Sequence, residues 1–259
     1  MAHKRRVCFQ EKNFVLGYFS PKSVLKGLRS RINAKKALKI FPNVTPDEYS
    51  NQISAIRKID KCMIGRYCGS LENKIMQTMS CYDVASRFPS NKQYAHVEIG
   101  VLFGGSILAK LSVLKRLNIK QSVIAIDPFE GYYQNPKDPV TGLEVTEQNF
   151  RKNIQKFGFD NEMLQIIKKY STDEGVMPLL SQYKIISLMI DGDHTYSGIR
   201  NDWEKYSHLV ESGGYVVFDD FEDPCWPDIT RFVNELIDSK RQGWEVFGKL
   251  DTTLIMKRN

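Results

Sequence analysis

The stretch from Ile185 to Phe221 constrains the fold of this chain strongly. It contains two apolar runs, I-I-S-L-M-I and Y-V-V-F, and acidic residues follow each run at once. A segment of helical length lies between them. This arrangement is typical of two parallel β-strands joined by a crossover helix, and it places both acidic groups at the same edge of a sheet. Ligands of open α/β sheets bind at that edge.

Alternating strand and helix patterns continue this arrangement over the second part of the chain. Strand-length apolar runs occur at Ala95–Ile99, Ser122–Ile126 and Met163–Ile167, and two closing strands are predicted at Trp244–Lys249 and Thr253–Lys257. We therefore predict an α/β fold over residues 90–259. Its Rossmann-like, doubly wound sheet would be mostly parallel, with an antiparallel C-terminal edge strand.

A helical region is predicted over residues 1–89, ahead of this sheet. Thr45-Pro46-Asp47-Glu48 is a strong helix start, with an N-cap threonine, a proline at the first helical position and a capping-box glutamate. Pro89-Ser90-Asn91 is the best boundary between the two regions. We expect the helical region to cover the substrate or to mediate oligomerisation, and a homo-oligomer is left open.

The first 40 residues form a basic arm. They contain eleven Lys or Arg residues and a single acid, Glu11. Such an arm could meet nucleic acid, phospholipid or a phosphorylated substrate. It could equally be a solvated amphipathic segment, because Val24, Leu25 and Leu28 have helical spacing. A basic N-terminus poor in acids also resembles an organelle transit peptide.

Several features favour a cytoplasmic protein. No apolar run approaches the roughly 20 residues that span a bilayer, and polar residues interrupt the apolar stretch near the N-terminus, which argues against a secretory signal. The cysteines are odd in number and include no C-x-x-C pair, so we expect reduced thiols and no zinc site. They are Cys8, Cys62, Cys68, Cys81 and Cys225.

Two motifs near the start of the sheet indicate a nucleoside-containing ligand. Glu98-Ile99-Gly100 leads into Gly104-Gly105-Ser106, where glycines permit a tight turn and the following helix offers unpaired N–H groups. The spacing differs from the G-x-G-x-x-G of dinucleotide sites. Asp127, at the end of the second strand, is placed to accept ribose hydroxyls, although it could also be a capping residue.

Four motifs in order give a specific resemblance: E-I-G-x-x-x-G-G-S, I-D-P-F-E-G, I-D-G-D-H-T-Y and G-G-Y-V-V-F-D-D-F. Together they resemble class I S-adenosylmethionine-dependent methyltransferases over about residues 90–258. More narrowly, they are similar to the metal-dependent macrolide-sugar O-methyltransferases of the macrocin and mycinamicin type and to cephalosporin-hydroxylase-like proteins. Residues 1–88 add nothing to this resemblance.

The resemblance implies where S-adenosylmethionine would bind. The glycine-rich turn would hold the methionine end, Asp127 the ribose, and the turn after the third strand would lie near the adenine. The cofactor-binding residues are then Glu98, Gly100, Gly104, Gly105, Ser106, Asp127, Ser171 and Thr172.

The acids of the opening stretch predict a metal site. Asp191 and Asp219 end strands that should be neighbours about 4.8 Å apart, and Asp220 adds a third carboxylate. Oxygen ligands favour Mg²⁺, with Mn²⁺ or Ca²⁺ as alternatives. The resembled methyltransferases bind a metal at the matching acids, often with Glu in place of Asp219. Alternatively, these aspartates cap helices, or the site has lost its metal.

His194 and Asp191 are the predicted catalytic residues. A histidine pKa near 6.5 suits a general base, so His194 could take the proton of an acceptor hydroxyl whose oxygen then attacks the sulfonium methyl. The alternative is a surface histidine before a helix. Asp193 would orient it or cap that helix. The long loop after Asp127 carries Tyr132-Tyr133 and is predicted to be a mobile cover.

These features favour an S-adenosylmethionine-dependent O-methyltransferase that acts on a small molecule, a sugar or a glycosylated natural product. One alternative is a hydroxylase-like metal enzyme on the same fold. Another is a nucleic-acid methyltransferase that uses the basic arm, but the chain has no N-P-P-Y-like motif and no RNA-binding module. A cofactor-binding protein without activity is a third alternative.

Overall fold

The computed structural model describes residues 33–133, 135–159 and 162–259. Seven strands form one sheet in the order β3-β2-β1-β4-β5-β7-β6. In chain order they are Tyr94–Ile99 (β1), Ser122–Ile126 (β2), Leu164–Ile167 (β3), Lys184–Ile190 (β4), Val210–Phe218 (β5), Trp244–Leu250 (β6) and Thr253–Arg258 (β7).

The pairing pattern confirms the predicted fold class. Strands β1 to β5 pair in parallel, whereas β7 is antiparallel to both β5 and β6. The antiparallel strand therefore lies between β5 and the edge strand β6. Phe218 is the register partner of Ile190, so β4 and β5 are neighbours whose carboxyl ends coincide, as the acidic motifs required.

Seven α-helices have both of their ends within the described residues. They are Pro46–Cys62 (α1), Leu71–Arg87 (α2), Gly105–Leu117 (α3), Glu147–Lys156 (α4), Val176–Leu180 (α5), Tyr196–Tyr206 (α6) and Pro227–Asp238 (α7). Residues 33–40 are also helical. Local sequence sets the helix starts: the Thr45 hydroxyl accepts the Glu48 N–H at 3.1 Å, and Ser70 and Thr195 cap α2 and α6 in the same way.

Helices cover both faces of the sheet. Helices α1 to α4 bury residues such as Ile56, Met76 and Ile107 on one face. Helices α5 to α7 bury Trp203, Val233 and their neighbours on the other face. Strands β1, β2 and β4 are buried along almost their whole length, as is typical of a parallel sheet that is covered on both sides.

The N-terminal helical region shares its core with the sheet. Phe41 and Ile56 belong to the same buried cluster as Val217 and Ile255. The division at residue 89 remains a prediction, although no gap between hydrophobic cores marks it among the described residues. Residues 1–32 of the basic arm lie outside the described ranges, so its predicted partners are not tested.

The cysteine prediction holds only in part. Cys62, Cys68 and Cys81 are free thiols, as expected. Cys225 is disulfide-bonded, so the prediction of reduced thiols is wrong at that residue, because an odd cysteine count does not by itself decide pairing. In the described ranges, no helix combines the length and apolar character needed to cross a membrane.

Candidate active site

A cavity of about 660 Å³ opens at the carboxyl edge of the sheet. Its walls include the turn after β1, the loops after β2 and β3, and the acidic residues that follow β4 and β5. Strands β1 and β4 are adjacent there, and the strand order reverses at this point, which is where open α/β sheets bind ligands. The volume lies in the range of small-molecule sites.

The glycine-rich turn has little room for side chains. Gly100 and Gly104 have φ angles of +81° and +86°, which favour glycine. A Cβ atom on Gly100 would lie 2.1 Å from the main-chain oxygen of Asp191. The glycine thus allows the turn to approach the end of β4 closely. At the start of α3, Gly104 provides no side-chain cap, so the first N–H groups of the helix face the cavity region without that partner.

Glu98 is buried beneath this turn and is paired inside the protein. The Ser106 hydroxyl donates to one of its oxygens, and the Lys110 ammonium group donates to the other. Lys110 also lies 3.4 Å from the sulfur of Met189. The sequence motifs did not indicate Lys110. The only signal was its spacing of four residues from Ser106, which puts both on one face of α3.

Asp127 organises two segments of backbone. Its Oδ2 accepts the N–H groups of Val101 and Leu102 at 2.8 and 3.3 Å, and its Oδ1 accepts that of Phe129 at 2.7 Å. Burial raises the pKa of Asp127, although these hydrogen bonds oppose the shift. Asp127, which was predicted to bind the ribose, therefore holds the glycine-rich turn and the loop after β2 together.

Ser171 and Thr172 line the same cavity. The main-chain oxygen of Ser171 accepts hydrogen bonds from the Lys205 ammonium group, at 2.7 Å, and from the Tyr206 hydroxyl. Both donors belong to α6, so this helix fixes the turn after β3. All eight predicted cofactor residues lie in or directly beside the cavity wall, with Gly104 next to Gly105.

Asp191, His194 and Asp220 converge at the other end of the cavity. One ligand atom from each lies within 4.8 Å of the others. The His194 Nε2 is 3.2 Å from the Asp191 Oδ1, and its Nδ1 is 3.5 Å from the Asp220 Oδ2. Asp219 lies in the cavity wall but turns toward Thr253, whose hydroxyl donates to it at 3.2 Å. The structure thus brings together two of the three predicted metal ligands with the predicted base.

Burial and mutual repulsion shift the pKa values in this cluster. Burial, followed by the charge of Asp219, raises the pKa of Asp220 to about 8. The pKa of Asp191 is raised for the same reasons, although a quarter of its side chain remains open to the cavity. Burial lowers the pKa of His194, against the opposing effect of the carboxylates. The cluster therefore concentrates negative charge that a cation would stabilise.

Two aromatic rings surround His194. Tyr133 stacks on Trp226 with ring centroids 5.0 Å apart, and the His194 ring lies 4.6 Å from Trp226 and 5.6 Å from Tyr133. Tyr133 belongs to the predicted cover, which is joined internally by bridges such as Tyr132 to Asn135. The loop does lie over the site, while its mobility remains a prediction.

The segment between α1 and α2 forms a further wall that the sequence did not reveal. Arg66, Tyr67 and Cys68 all line the cavity. Arg66 forms an ion pair with Asp138 of the covering loop at 2.8 Å, and its guanidinium lies 5.5 Å from the Tyr132 ring centroid. Residues distant in the chain thus enclose one end of the cavity.

Left-handed backbone recurs around the cavity. Leu102, Phe129, Tyr133 and Asp220 have φ angles between +48° and +56° although none is glycine. Each such residue costs about 1 kcal/mol or more unless its surroundings impose the conformation. Strain of this kind concentrates at functional sites, and here it affects four residues at or beside the cavity wall.

Comparison with known families agrees with the site. Residues 97–221 match the model of a family described as a methyltransferase domain. This part of the chain is similar to a methyltransferase domain. The matched segment begins in β1, includes the glycine-rich turn, and ends just after the acidic pair that follows β5.

A curated relative extends the comparison. The Uncharacterized protein R132 of Acanthamoeba polyphaga mimivirus is 36% identical over 151 residues. The match covers 57% of this chain and 61% of that relative, so it spans less than two thirds of the relative's length.

Solved structures share the fold of this chain. The O-methyltransferase NovP superposes with a TM-score of 0.61 and 17% identity, over 82% of this chain and 98% of that chain. PaMTH1 of Podospora anserina, bound to SAH, has a TM-score of 0.53 and 13% identity, over 96% of this chain and 100% of that chain. CalS11, a TDP-rhamnose 3'-O-methyltransferase, has a TM-score of 0.52 and 13% identity, over 82% of this chain and 95% of that chain. Identities this low show a common fold.

Proposed function

We propose that this protein transfers a methyl group from S-adenosylmethionine to a hydroxyl of a small molecule, a sugar or a glycosylated natural product. One observation carries the proposal: a glycine-rich turn and a histidine between carboxylates share one cavity. The fold-related proteins support the reaction class, since NovP is an O-methyltransferase and CalS11 acts on TDP-rhamnose.

The residues around the glycine-rich turn fit the methionine end of the cofactor. The first N–H groups of α3 lack a side-chain cap and suit a carboxylate, because a helix N-terminus attracts anions. Gly100, Gly104, Gly105 and Ser106 would let this carboxylate approach the backbone, while Glu98 would shape the floor beneath it. Asp127, Ser171 and Thr172 would enclose the adenosine half.

The acidic cluster fits a divalent cation. One ligand atom each from Asp191, His194 and Asp220 lies within 4.8 Å of the others, and Asp219 lines the same cavity. We assign the cation to Asp191 and Asp220, which converge beside His194, and to Asp219, which would have to turn from Thr253 to reach it. We propose Mg²⁺, with Mn²⁺ or Ca²⁺ as substitutes. When bound, such a cation would make the acceptor hydroxyl more acidic.

His194 would act as the general base. Its ring lies between Asp191 and Asp220, so both carboxylates would stabilise the imidazolium that forms. The hydroxyl proton would pass to a ring nitrogen of His194, freeing the oxygen to bond to the methyl carbon. S-adenosylmethionine would supply that methyl group, and S-adenosylhomocysteine would leave with the electrons of the broken carbon–sulfur bond. Tyr133 and Trp226 would exclude water from this step.

Calorimetry with S-adenosylmethionine and Mg²⁺ tests the two halves of the proposal. We expect wild type to bind the cofactor. Asp219→Asn and Asp191→Asn should each weaken Mg²⁺ binding at least about tenfold, since each removes a ligand charge. Asp238→Asn, an exposed acid at the end of α7, is the matched control and should leave both affinities unchanged.

Variants of His194 separate a base from a metal ligand. His194→Gln should retain Mg²⁺ affinity and lose methyl transfer by a factor of about 100 or more. Product mass spectrometry with TDP-rhamnose and related sugars would measure the transfer. Loss of Mg²⁺ binding in His194→Gln would assign the histidine to the metal instead. A wild-type protein that binds no cofactor, or an altered product without an added methyl, would overturn the proposed function.

A further inference from the structure

The adenosine end of the cavity has an unassigned carboxylate. Glu130 lies three residues after Asp127 in the cavity wall, and its side chain is exposed. Its Oε2 accepts the hydroxyl hydrogen of Tyr170 at 2.7 Å. Tyr170 follows β3, is 51% exposed and also lines the cavity. The pair thus bridges the loops after β2 and β3 beside the cavity.

Asp127 has little capacity left for a ribose. A carboxylate offers about four acceptor positions, and backbone N–H groups already occupy three of those on Asp127. Only 8% of the residue is exposed. Two ribose hydroxyls require two acceptors, so Asp127 cannot satisfy both without releasing the turn that it holds.

The backbone between these acids presents Glu130 to the cavity. Phe129 has a φ angle of +56°, and its N–H group is held by the Asp127 carboxylate at 2.7 Å. This left-handed residue changes the direction of the chain directly before Glu130. Within the described ranges, the Glu130 Oε1 has no hydrogen-bond partner, so it is available to a ligand.

We propose that Glu130 accepts hydrogen bonds from the ribose hydroxyls of the cofactor, and that Tyr170 holds Glu130 in place and covers the nucleoside. Asp127 is then a positioning residue that acts through the Phe129 turn. This assignment rests on the proposed function, because it presumes an adenosine-containing cofactor. The predicted contact with the ribose thereby moves from Asp127, at the end of β2, to Glu130.

Binding of S-adenosylhomocysteine and of its 2′,3′-dideoxy analogue, measured by calorimetry, tests the assignment without any acceptor. Glu130→Gln should weaken S-adenosylhomocysteine binding about tenfold, because a hydrogen bond to a charged group contributes about 1.5 kcal/mol or more. The same variant should change binding of the dideoxy analogue less than twofold. Tyr170→Phe should weaken S-adenosylhomocysteine binding by a smaller factor and should likewise leave binding of the dideoxy analogue nearly unchanged.

Two further variants make the result decisive. Asp127→Asn should weaken both ligands by the same factor, because it acts through the loop and not through the hydroxyls. Glu144→Gln, an exposed acid of the same loop outside the cavity wall, should behave as wild type. Circular dichroism and Tm would confirm that each variant folds.

The outcomes distinguish a failure of the Glu130 assignment from a failure of the proposed function. If Glu130→Gln binds S-adenosylhomocysteine within twofold of wild type, or weakens both ligands equally, the assignment of Glu130 is wrong. If wild type itself does not bind S-adenosylhomocysteine, the proposed function fails first.

Discussion

The residue His96 shows how strongly burial alone can set a protonation state in this fold. It is fully buried on β1, where its Nε2 lies 3.0 Å from the Gln121 Oε1. The amide nitrogen of Gln121 lies 3.1–3.2 Å from the main-chain oxygens of Ala85, Phe88 and Pro89 and donates its two hydrogens among them, so the amide oxygen must accept. His96 therefore carries its proton on Nε2, and Nδ1 is left unpaired.

This burial predicts a pH-dependent stability. Burial lowers the pKa of His96 to about 4, while an unfolded histidine has a pKa of about 6.5. Between these values the unfolded chain binds a proton that the folded chain does not. The free energy of unfolding should therefore decrease as the pH falls from 6.5 to 4, by about 3 kcal/mol from this residue.

Urea denaturation at a series of pH values measures this contribution. In His96→Gln, the free energy of unfolding should depend less steeply on pH between 4 and 6.5 than in wild type. The difference in slope should correspond to about one proton bound on unfolding. His208→Gln, at an exposed histidine, is the matched control. An unchanged slope in His96→Gln would show that the folded protein already accommodates the charged ring.

At the scale of elements, the covering loop is held to the N-terminal region by one ion pair. The Asp138 side chain is completely buried and accepts the Arg66 Nε and Nη2 at 2.9 and 2.8 Å. The same carboxylate accepts the N–H and hydroxyl of Thr141, so it also closes the loop on itself. Arg66 lowers the pKa of Asp138 through its hydrogen bond and its charge, against the effect of burial.

Arg66→Met should loosen the loop without unfolding the sheet. It would leave a buried carboxylate without its cation, at a cost of about 2 kcal/mol for a site that is partly open on the Arg66 side. Hydrogen exchange of the Asp138 and Val145 amides, both bonded within the loop, should accelerate about tenfold or more.

The matched control is Arg200→Met, which removes an exposed ion pair with Glu204 on α6. It should change exchange in the loop by less than a factor of two, since exposed pairs contribute little. Equal exchange in the Arg66 variant and in wild type would mean that loop hydrogen bonds alone hold the cover.

Sequence periodicity predicts elements well where the pattern is local. The caps at Thr45, Ser70 and Thr195 lie where α1, α2 and α6 begin. Periodicity did not predict where β5 begins: the strand starts at Val210, whereas the apolar run begins at Tyr215. A register shift between Ile185 and Ser187 lets β4 pair with both ends of that strand. Irregular pairing depends on the neighbouring strand, so one strand's own sequence does not reveal it.

At the scale of the whole molecule, Asn153 joins the two predicted regions. Its amide nitrogen donates to the main-chain oxygens of Ile64 and Phe103 at 2.9 Å, and its oxygen accepts the Ile64 N–H at 2.7 Å. Gly65 packs against the Phe103 ring beside it, and an added Cβ would lie 2.4 Å away. The N-terminal region is thus attached directly to the glycine-rich turn.

Asn153→Ala should destabilise the described fold as one unit. It leaves three backbone groups without their partner, two of them partly buried on Ile64 and one fully buried on Phe103, which costs about 2–4 kcal/mol in total. Calorimetric unfolding should show a single transition at lower Tm. Asn149→Ala, one turn earlier on α4, removes a solvent-exposed hydrogen bond to the Glu144 main-chain oxygen and should shift the Tm by far less. Two separate transitions in the Asn153 variant would mean that the helical region folds independently.

The sequence by itself determined the order of strands and helices and the placement of acids at strand ends. Those features follow from short-range periodicity, capping and the geometry of parallel sheets. Tertiary structure decided which groups meet: Lys110 with Glu98, Arg66 with Asp138, and His194 with Asp191 and Asp220 while Asp219 turns to Thr253. Side-chain direction and contact between distant segments depend on packing of the whole core, and periodicity along the chain carries no information about them.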